Sequence, residues 1–106
     1  MRNADPAGAR SGDRAKVPPA PGDPAAIGSL TSRECEVLLA LSTAAPNRLI
    51  GRRLGIAERT VKAHLTSIMA KIHVRSRTEA ALFAYAHHRR IARSAAAQQQ
   101  TEGGRA

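Results

Sequence analysis

The stretch "GIAERTVKAHLTSIMAKIHVRSRTEA", residues 55–80, carries an apolar stripe beside a basic, hydroxyl-bearing face. Its aliphatic residues stand at positions i, i+4, i+7, i+8 and i+11, which one side of an α-helix brings together. They are Val61, Leu65, Ile68, Met69 and Ile72. We therefore predict an amphipathic helix over about residues 58–72, with one side packed on a core and the other side open to solvent.

A shorter helical segment, "PNRLIGRRL" at residues 46–54, comes directly before this helix. Pro46 suits the first turn of a helix, and Gly55 suits its end because Gly readily takes the left-handed conformation there. Two helices joined by a tight turn that contains Gly form a helix-turn-helix unit. We predict this motif at about residues 47–66.

The free side of the second helix has the composition of a helix that enters the DNA major groove. Small residues allow close approach, and Lys and hydroxyl groups can meet base edges and phosphates. The residues concerned are Arg59, Thr60, Lys62, Ala63, Thr66 and Ser67. A helix N-terminus also attracts phosphate through its dipole and its free amides.

Two further helices are predicted around this motif. The first opens in "LTSRECEVLLAL", residues 30–41, where Thr31 and Glu34 have capping-box spacing. Cys35 lies on its apolar side and is interpreted as a small buried hydrophobe. The fourth helix opens at Ser76, where Glu79 repeats that spacing. No convincing strand is present, so we predict an all-α fold, a small four-helix domain flanked by disordered termini.

The ends of the chain have a different composition. Residues 1–28 hold five of the six prolines and half of the eight glycines, with few large aliphatic residues. Such a segment buries too little apolar surface to offset its ordering entropy. We predict a disordered leader at residues 1–22, a folded domain at residues 23–90, and a disordered tail at residues 94–106.

Charge is concentrated in the foldable part of the chain. Residues 29–93 contain twelve Lys or Arg and four Glu, a net +8 out of the whole chain's +9. A basic folded core favours a polyanionic partner, either nucleic acid or an anionic membrane. We find no membrane span, signal peptide, catalytic constellation, metal-ligand set, cofactor motif or small-molecule site. The single cysteine suits a reducing cytosol, and the abundance of Ala, Arg, Pro and Gly suggests a GC-rich bacterial genome, so we expect a cytoplasmic bacterial protein. Binding to DNA would place it on the nucleoid.

Several of these segments together resemble the LuxR-type helix-turn-helix domain of bacterial transcription regulators. The landmarks are "LTSRE" at residues 30–34, "EVL" at 36–38, "TVKAHL" at 60–65, Lys71, and "RTEA" at 77–80. The resemblance covers about residues 23–90. It implies a third helix that reads DNA and a fourth helix that pairs with a second protomer, giving a homodimer on double-stranded DNA.

The resemblance also implies roles for individual side chains. Base edges would be contacted by Lys62, Ala63 and Thr66, and the phosphate backbone by Thr60, His64, Lys71 and Asn47. Five positions depart from the family pattern. Pro46 stands where a small polar residue usually opens the second helix, and Leu49 where an acidic residue is frequent. Ala57 stands where a hydroxyl residue commonly caps the third helix, Gly51 where Ala is usual, and His73 where Gly is common at a position that can need a positive φ.

The function predicted from the sequence is that of a sequence-specific DNA-binding transcription regulator, not an enzyme. The main alternative is a stand-alone protein-interaction module that pairs with or inhibits a full-length regulator. A sigma-factor DNA-binding region fits "TVKAHL" followed by "RSRTEA" less well. A basic membrane-surface protein is least favoured, because the helices lack large apolar faces beyond those that a core needs.

Overall fold

The computed structural model describes residues 18–105 of the chain, and side chains over residues 18–99. A 3-10 turn, Pro24–Ser29, precedes five α-helices. They are α1 (Ser32–Leu41), α2 (Asn47–Leu54), α3 (Glu58–Ile72), α4 (Arg77–Ala86) and α5 (His88–Arg105). Within the described range there is no strand, and the predicted all-α fold is confirmed. Residues 1–17 of the predicted leader lie outside that range.

The start of α1 is fixed by the predicted capping box. The Thr31 hydroxyl accepts a hydrogen bond from the Glu34 amide at 3.1 Å, and the Glu34 carboxylate accepts one from the Thr31 amide at 2.9 Å. Both amides would otherwise lack a partner at the helix N-terminus. Glu34 is therefore held in one position at the first turn of α1.

Helices α2 and α3 form the predicted helix-turn-helix, with residues 55–57 as the turn. Gly55 takes the left-handed conformation, φ 71°, and the Ile56 amide donates to the Gly51 carbonyl at 2.9 Å, as in a Schellman motif. A Cβ on Gly51 would lie 2.6 Å from the Ile56 carbonyl oxygen. The departure from Ala at Gly51 therefore allows α2 to lie close against the turn.

Two helix starts lack a side-chain cap. Pro46 occupies the N-cap position of α2, one residue earlier than the first-turn position expected from the sequence. Ala57 occupies the N-cap of α3 and, as its lack of a hydroxyl predicts, supplies no capping hydrogen bond. At the other end of α3, His73 adopts φ 61° and ψ 48°, so this position does require the left-handed conformation.

The core is small and almost wholly aliphatic, with Phe83 as its one aromatic residue. Four residues of the predicted α3 stripe are fully or nearly buried, whereas Met69 is half-buried. The apolar residues that are less than one-tenth exposed are Ile27, Leu30, Cys35, Val37, Leu38, Leu41, Ala45, Ile50, Val61, Leu65, Ile68, Ile72, Val74, Ala80, Phe83, Ala84, Ile91 and Ala95. All six elements thus contribute to one core.

The segment before the 3-10 turn also packs on this core. Gly22 has φ +94°, and a Cβ built there would lie 2.5 Å from Cδ2 of Phe83. The Asp23 amide donates to the Ile72 carbonyl at 2.8 Å, which ties the segment to the end of α3. The last residue of the predicted leader, Gly22, is therefore part of the folded domain.

Helix α5 differs from the sequence-based prediction. We expected the fourth helix to include Ile91 and the domain to end near residue 90, with a disordered tail from residue 94. Instead the chain bends at His87 and a fifth helix, His88–Arg105, packs mainly on α1. Ile91 and Ala95 are buried, and the Gln98 side-chain amide donates to the Leu30 carbonyl at 2.6 Å. Apolar surface on α1 therefore orders a segment that has little apolar surface itself.

Candidate nucleic-acid interface

The solvent side of α3 carries six of the nine side chains that the sequence predicted for DNA recognition. Arg59, Lys62, Ala63 and Thr66 are exposed, and Thr60 and His64 are half-buried at the edges of the same face. The opposite side is fixed by the buried stripe of this helix. A rotation of α3 about its axis would expose the stripe, so apolar packing determines which residues face outward.

This face is cationic and its charges are not neutralised by neighbouring carboxylates. Among the described residues, neither Arg59 nor Lys62 has an ion-pair partner. The Thr66 hydroxyl donates back to the Lys62 carbonyl at 3.1 Å, which leaves its oxygen free to accept. Ala63, which lies between Lys62 and Thr66 in the sequence, has only a methyl side chain and projects little from this face. The arrangement can therefore approach a phosphate backbone closely.

Ser67 and Lys71, also predicted as DNA contacts, point to α1 in this structure. The Ser67 hydroxyl donates to Oε2 of Glu34 at 2.8 Å, and the Lys71 ammonium donates to Oε1 of Glu34 at 2.8 Å. The Lys71 ammonium lies in addition 3.3 Å from the Ser29 carbonyl oxygen. These two side chains hold helices together in the free protein.

The Glu34 side chain that receives them is only 6% exposed. Burial acts to raise the pKa of its carboxyl, but the hydrogen bonds from Lys71, Thr31 and Ser67 outweigh it and hold the pKa below the ordinary value. The carboxylate is consequently ionised at neutral pH and its two oxygens are both occupied. Sequence reasoning identified Glu34 only as a capping residue, because the partners on α3 are 33 and 37 positions away.

Asn47 is also engaged inside the protein. Its side-chain oxygen accepts a hydrogen bond from the Arg77 guanidinium, which also donates to the Ala45 carbonyl at 2.5 Å. Arg77 therefore links the start of α4 to the start of α2. Asn47 keeps its amide NH₂ for another acceptor, since only its oxygen is used by Arg77.

The predicted set did not include four exposed arginines of the same region. Arg48, Arg52 and Arg53 lie on α2, and Arg75 follows α3 directly. For the three on α2, the available signal was the set of basic residues in "NRLIGRRL", residues 47–54, which gives no indication of which side faces outward. They extend the cationic surface of the helix-turn-helix unit beyond α3 itself.

Other kinds of site find no support in the part of the chain that the structure describes. No three His, Cys, Asp or Glu side chains there lie close enough together to hold a metal ion. Within the same residues, no helix is both long and apolar enough to cross a membrane.

Comparison with known proteins agrees with this geometry. The family model "Bacterial regulatory proteins, luxR family" matches residues 28–84, more than half of the chain. The match ends inside α4, so α5 lies outside it. The resemblance stated from the landmarks is therefore confirmed.

Individual relatives point the same way. The chain is 43% identical over 60 residues to the transcriptional regulatory protein LiaR of Bacillus subtilis, covering 57% of this chain and 28% of LiaR. It is 49% identical over 51 residues to the transcriptional regulatory protein DegU of Brevibacillus brevis, covering 48% and 22%. It is 40% identical over 65 residues to the nitrate/nitrite response regulator NarL of Escherichia coli K12, covering 61% and 29%. The matched region spans less than a third of each relative, and the chain belongs to the luxR family of bacterial regulatory proteins.

Proposed function

We propose that this protein binds double-stranded DNA sequence-specifically through α3 and thereby regulates transcription. The observation that carries the proposal is the outer face of α3, where Arg59, Lys62, Ala63 and Thr66 are exposed on a helix whose other side is buried. Membership of a family of regulatory proteins supports the same function.

In this proposal α3 lies in the major groove. Lys62, Ala63 and Thr66 face base edges, and Arg59, Thr60 and His64 face the phosphates on either side. Lysine and hydroxyl groups read bases by hydrogen bonding, whereas phosphate contacts fix register and supply salt-dependent affinity. The NH₂ of Asn47 at the start of α2 would reach a further phosphate.

Selection of bound duplexes from a random pool tests the proposal and yields the preferred sequence. A fluorescence-anisotropy titration then compares the parent with Lys62→Ala on the selected duplex and on a scrambled one. Loss of a base contact should weaken binding to the selected duplex by about 1–3 kcal/mol and reduce discrimination against the scrambled one.

Arg93→Ala is the matched control, because it removes the same charge from an exposed position on α5, which makes no contact with α2 or α3 in the described part of the chain. Arg93→Ala should leave discrimination unchanged. Equal losses for Lys62→Ala and Arg93→Ala would mean that net charge alone drives binding, and the assignment of α3 would be wrong.

We also propose that the protein forms a homodimer through α4. Leu82 and Tyr85 on this helix are 53% and 78% exposed, although large apolar side chains usually avoid water. Both line a shallow apolar groove with Pro18, Pro19 and Pro21. A symmetric pair of α3 helices would then read half-sites about one helical turn apart.

The alternative function, an interaction module that pairs with a full-length regulator, would use the same exposed residues of α4. Light scattering of the parent and of Leu82→Ser/Tyr85→Ser separates the two. A parent dimer that the double substitution dissociates, with DNA binding weakened in parallel, supports the regulator. A parent that forms mixed dimers with a relative but retains no duplex supports the interaction module.

A further inference from the structure

A buried polar contact joins the first turn of α1 to the second half of α3. Glu34 as a whole is 4% exposed, and each of its carboxylate oxygens has a partner. Oε1 accepts from the Thr31 amide at 2.9 Å and from Lys71 at 2.8 Å, and Oε2 accepts from Ser67 at 2.8 Å. A buried carboxylate with all of its partners in place is strongly directional.

Lys71 is poorly placed to serve a DNA phosphate as well. Its ammonium already donates to Glu34 and lies 3.3 Å from the Ser29 carbonyl oxygen, and its side chain is about one-third exposed. Turning it outward would leave the Glu34 charge buried without a counter-charge, which is a severe penalty. By contrast, Lys62 is fully available, because it has no ion-pair partner among the described residues.

The position of this contact on α3 gives it influence over the recognition face. Ser67 and Lys71 are one helical turn apart, so two successive turns of α3 are fixed to one carboxylate. Ser67 directly follows Thr66 in the sequence and is rotated by about 100° from it around the helix axis. Glu34 is therefore in a position to influence the orientation of the helix face that carries Lys62, Ala63 and Thr66.

We propose that Glu34, Ser67 and Lys71 form a positioning lock that sets the orientation of α3, so that Ser67 and Lys71 act on DNA recognition without touching DNA. The proposal rests on the function proposed above for α3. It reassigns two of the nine residues that the sequence suggested as DNA contacts, and it adds Glu34 as a positioning residue.

A second substitution, which removes the Glu34 charge that Lys71→Gln leaves unpaired, distinguishes the lock from a phosphate contact. The variants are Lys71→Gln, which leaves the buried carboxylate unpaired, and Glu34→Gln/Lys71→Gln, in which two amides can hydrogen bond. Each is titrated with the duplex selected from the random pool and with a scrambled duplex, at four salt concentrations. Circular dichroism confirms that each variant is folded at the temperature used.

The lock predicts that Lys71→Gln weakens binding to the selected duplex by about tenfold and that the double variant recovers most of this loss. Both should keep the parental slope of log affinity against log salt. A phosphate contact predicts the opposite, a slope smaller by about one unit in both variants and no recovery, because the ammonium is absent from each. That result would overturn the lock.

Two further variants serve as controls: one weakens the lock without changing charge, and the other removes a charge outside the lock. Ser67→Ala removes one hydrogen bond from the lock, changes no charge and removes only one side-chain oxygen atom. It should lower discrimination between the two duplexes and leave the salt slope unchanged. Lys62→Gln removes the same charge as Lys71→Gln at an exposed position of α3, and no substitution at Glu34 should rescue it. Rescue of Lys62→Gln by Glu34→Gln would contradict the lock.

A measurement without DNA separates failure of the lock from failure of the proposed function. Residual dipolar couplings of backbone amides report the angle between α1 and α3 in the free protein. The angle should change in Lys71→Gln and return in the double variant. A parent that binds no duplex would refute the DNA-binding function alone, whereas identical couplings in all variants would refute the lock.

Discussion

Replacing His73 by Gly should stabilise the protein. His73 ends α3 with φ 61° and ψ 48°, a conformation that brings the Cβ of an L-residue close to the following carbonyl oxygen. The cost is about 1–2 kcal/mol for a residue with a side chain and is absent for Gly. Among the described residues, the exposed His73 side chain has no hydrogen-bond or ion-pair partner, so its removal forfeits little.

The gain in stability from His73→Gly is reduced by an effect on the unfolded state. Gly has more conformational freedom than His in the unfolded chain, which lowers the free energy of unfolding by about 0.4–1 kcal/mol. The expected net effect of His73→Gly is an increase of about 0.5–1 kcal/mol in the free energy of unfolding. For a domain of this size, that corresponds to a rise in the midpoint of thermal unfolding of about 4 °C.

Urea unfolding followed by circular dichroism measures the effect, and His64→Gly is the matched control. His64 lies in the middle of the same helix, where Gly in place of His should lower stability by a few tenths of a kcal/mol, because Gly is about 1 kcal/mol and His about 0.6 kcal/mol less favourable than Ala. The two His→Gly substitutions in α3 should therefore have opposite signs. A lower midpoint for His73→Gly would refute the argument that backbone strain at this residue is relieved by Gly.

Other predictions concern a cap, a close approach and a buried charge. Ala57→Ser should raise the free energy of unfolding by about 1 kcal/mol, since it supplies the missing N-cap of α3; an unchanged urea midpoint would contradict this. Gly22→Ala should lower stability by about 1–3 kcal/mol, because the new Cβ would meet Phe83 at 2.5 Å, whereas Gly28→Ala, with nothing within 4 Å, should have no comparable effect. The pKa of Glu34 is lower in the folded protein, so its contribution is present at neutral pH and is lost as the pH falls below the ordinary value of 4.5. The difference in unfolding free energy between the parent and Glu34→Gln should shrink over that acidic range; a difference independent of pH would argue that Glu34 is not held ionised.

Local signals in the sequence were sufficient for much of the fold. The period of the α3 stripe, the capping box of Thr31 and Glu34, and the left-handed Gly55 are all set by residues within one or two helical turns. Each is found in the structure as the pattern predicts. The hydroxyl of Ser76 likewise caps α4 by accepting from the Glu79 amide at 3.1 Å, although the Glu79 carboxylate reaches the Arg75 amide rather than closing a box.

Features that depend on distant partners were not predictable in the same way. Ser67 and Lys71 are residue types expected on a helix face that contacts DNA. Only the three-dimensional fold shows that Glu34 lies within hydrogen-bond distance of both. Helix α5 was missed because Ile91 and Ala95 are too few to mark a helix, while the apolar surface that orders it belongs to α1. On α3, by contrast, the exposure of Lys62 follows directly from the apolar period of its own helix.

The packing of α5 on α1 gives the protein a chemical reporter of its own opening. Cys35 is the only cysteine of the chain, is 0% exposed, and lies on α1, against which α5 packs. Burial also raises the pKa of its thiol, which keeps it protonated and unreactive at neutral pH. A thiol reagent can reach the sulfur only after the two helices separate or the whole chain unfolds. The labelling rate of the unmodified protein, divided by that of an accessible thiol, therefore measures the equilibrium for the opening that exposes Cys35, without any engineered probe.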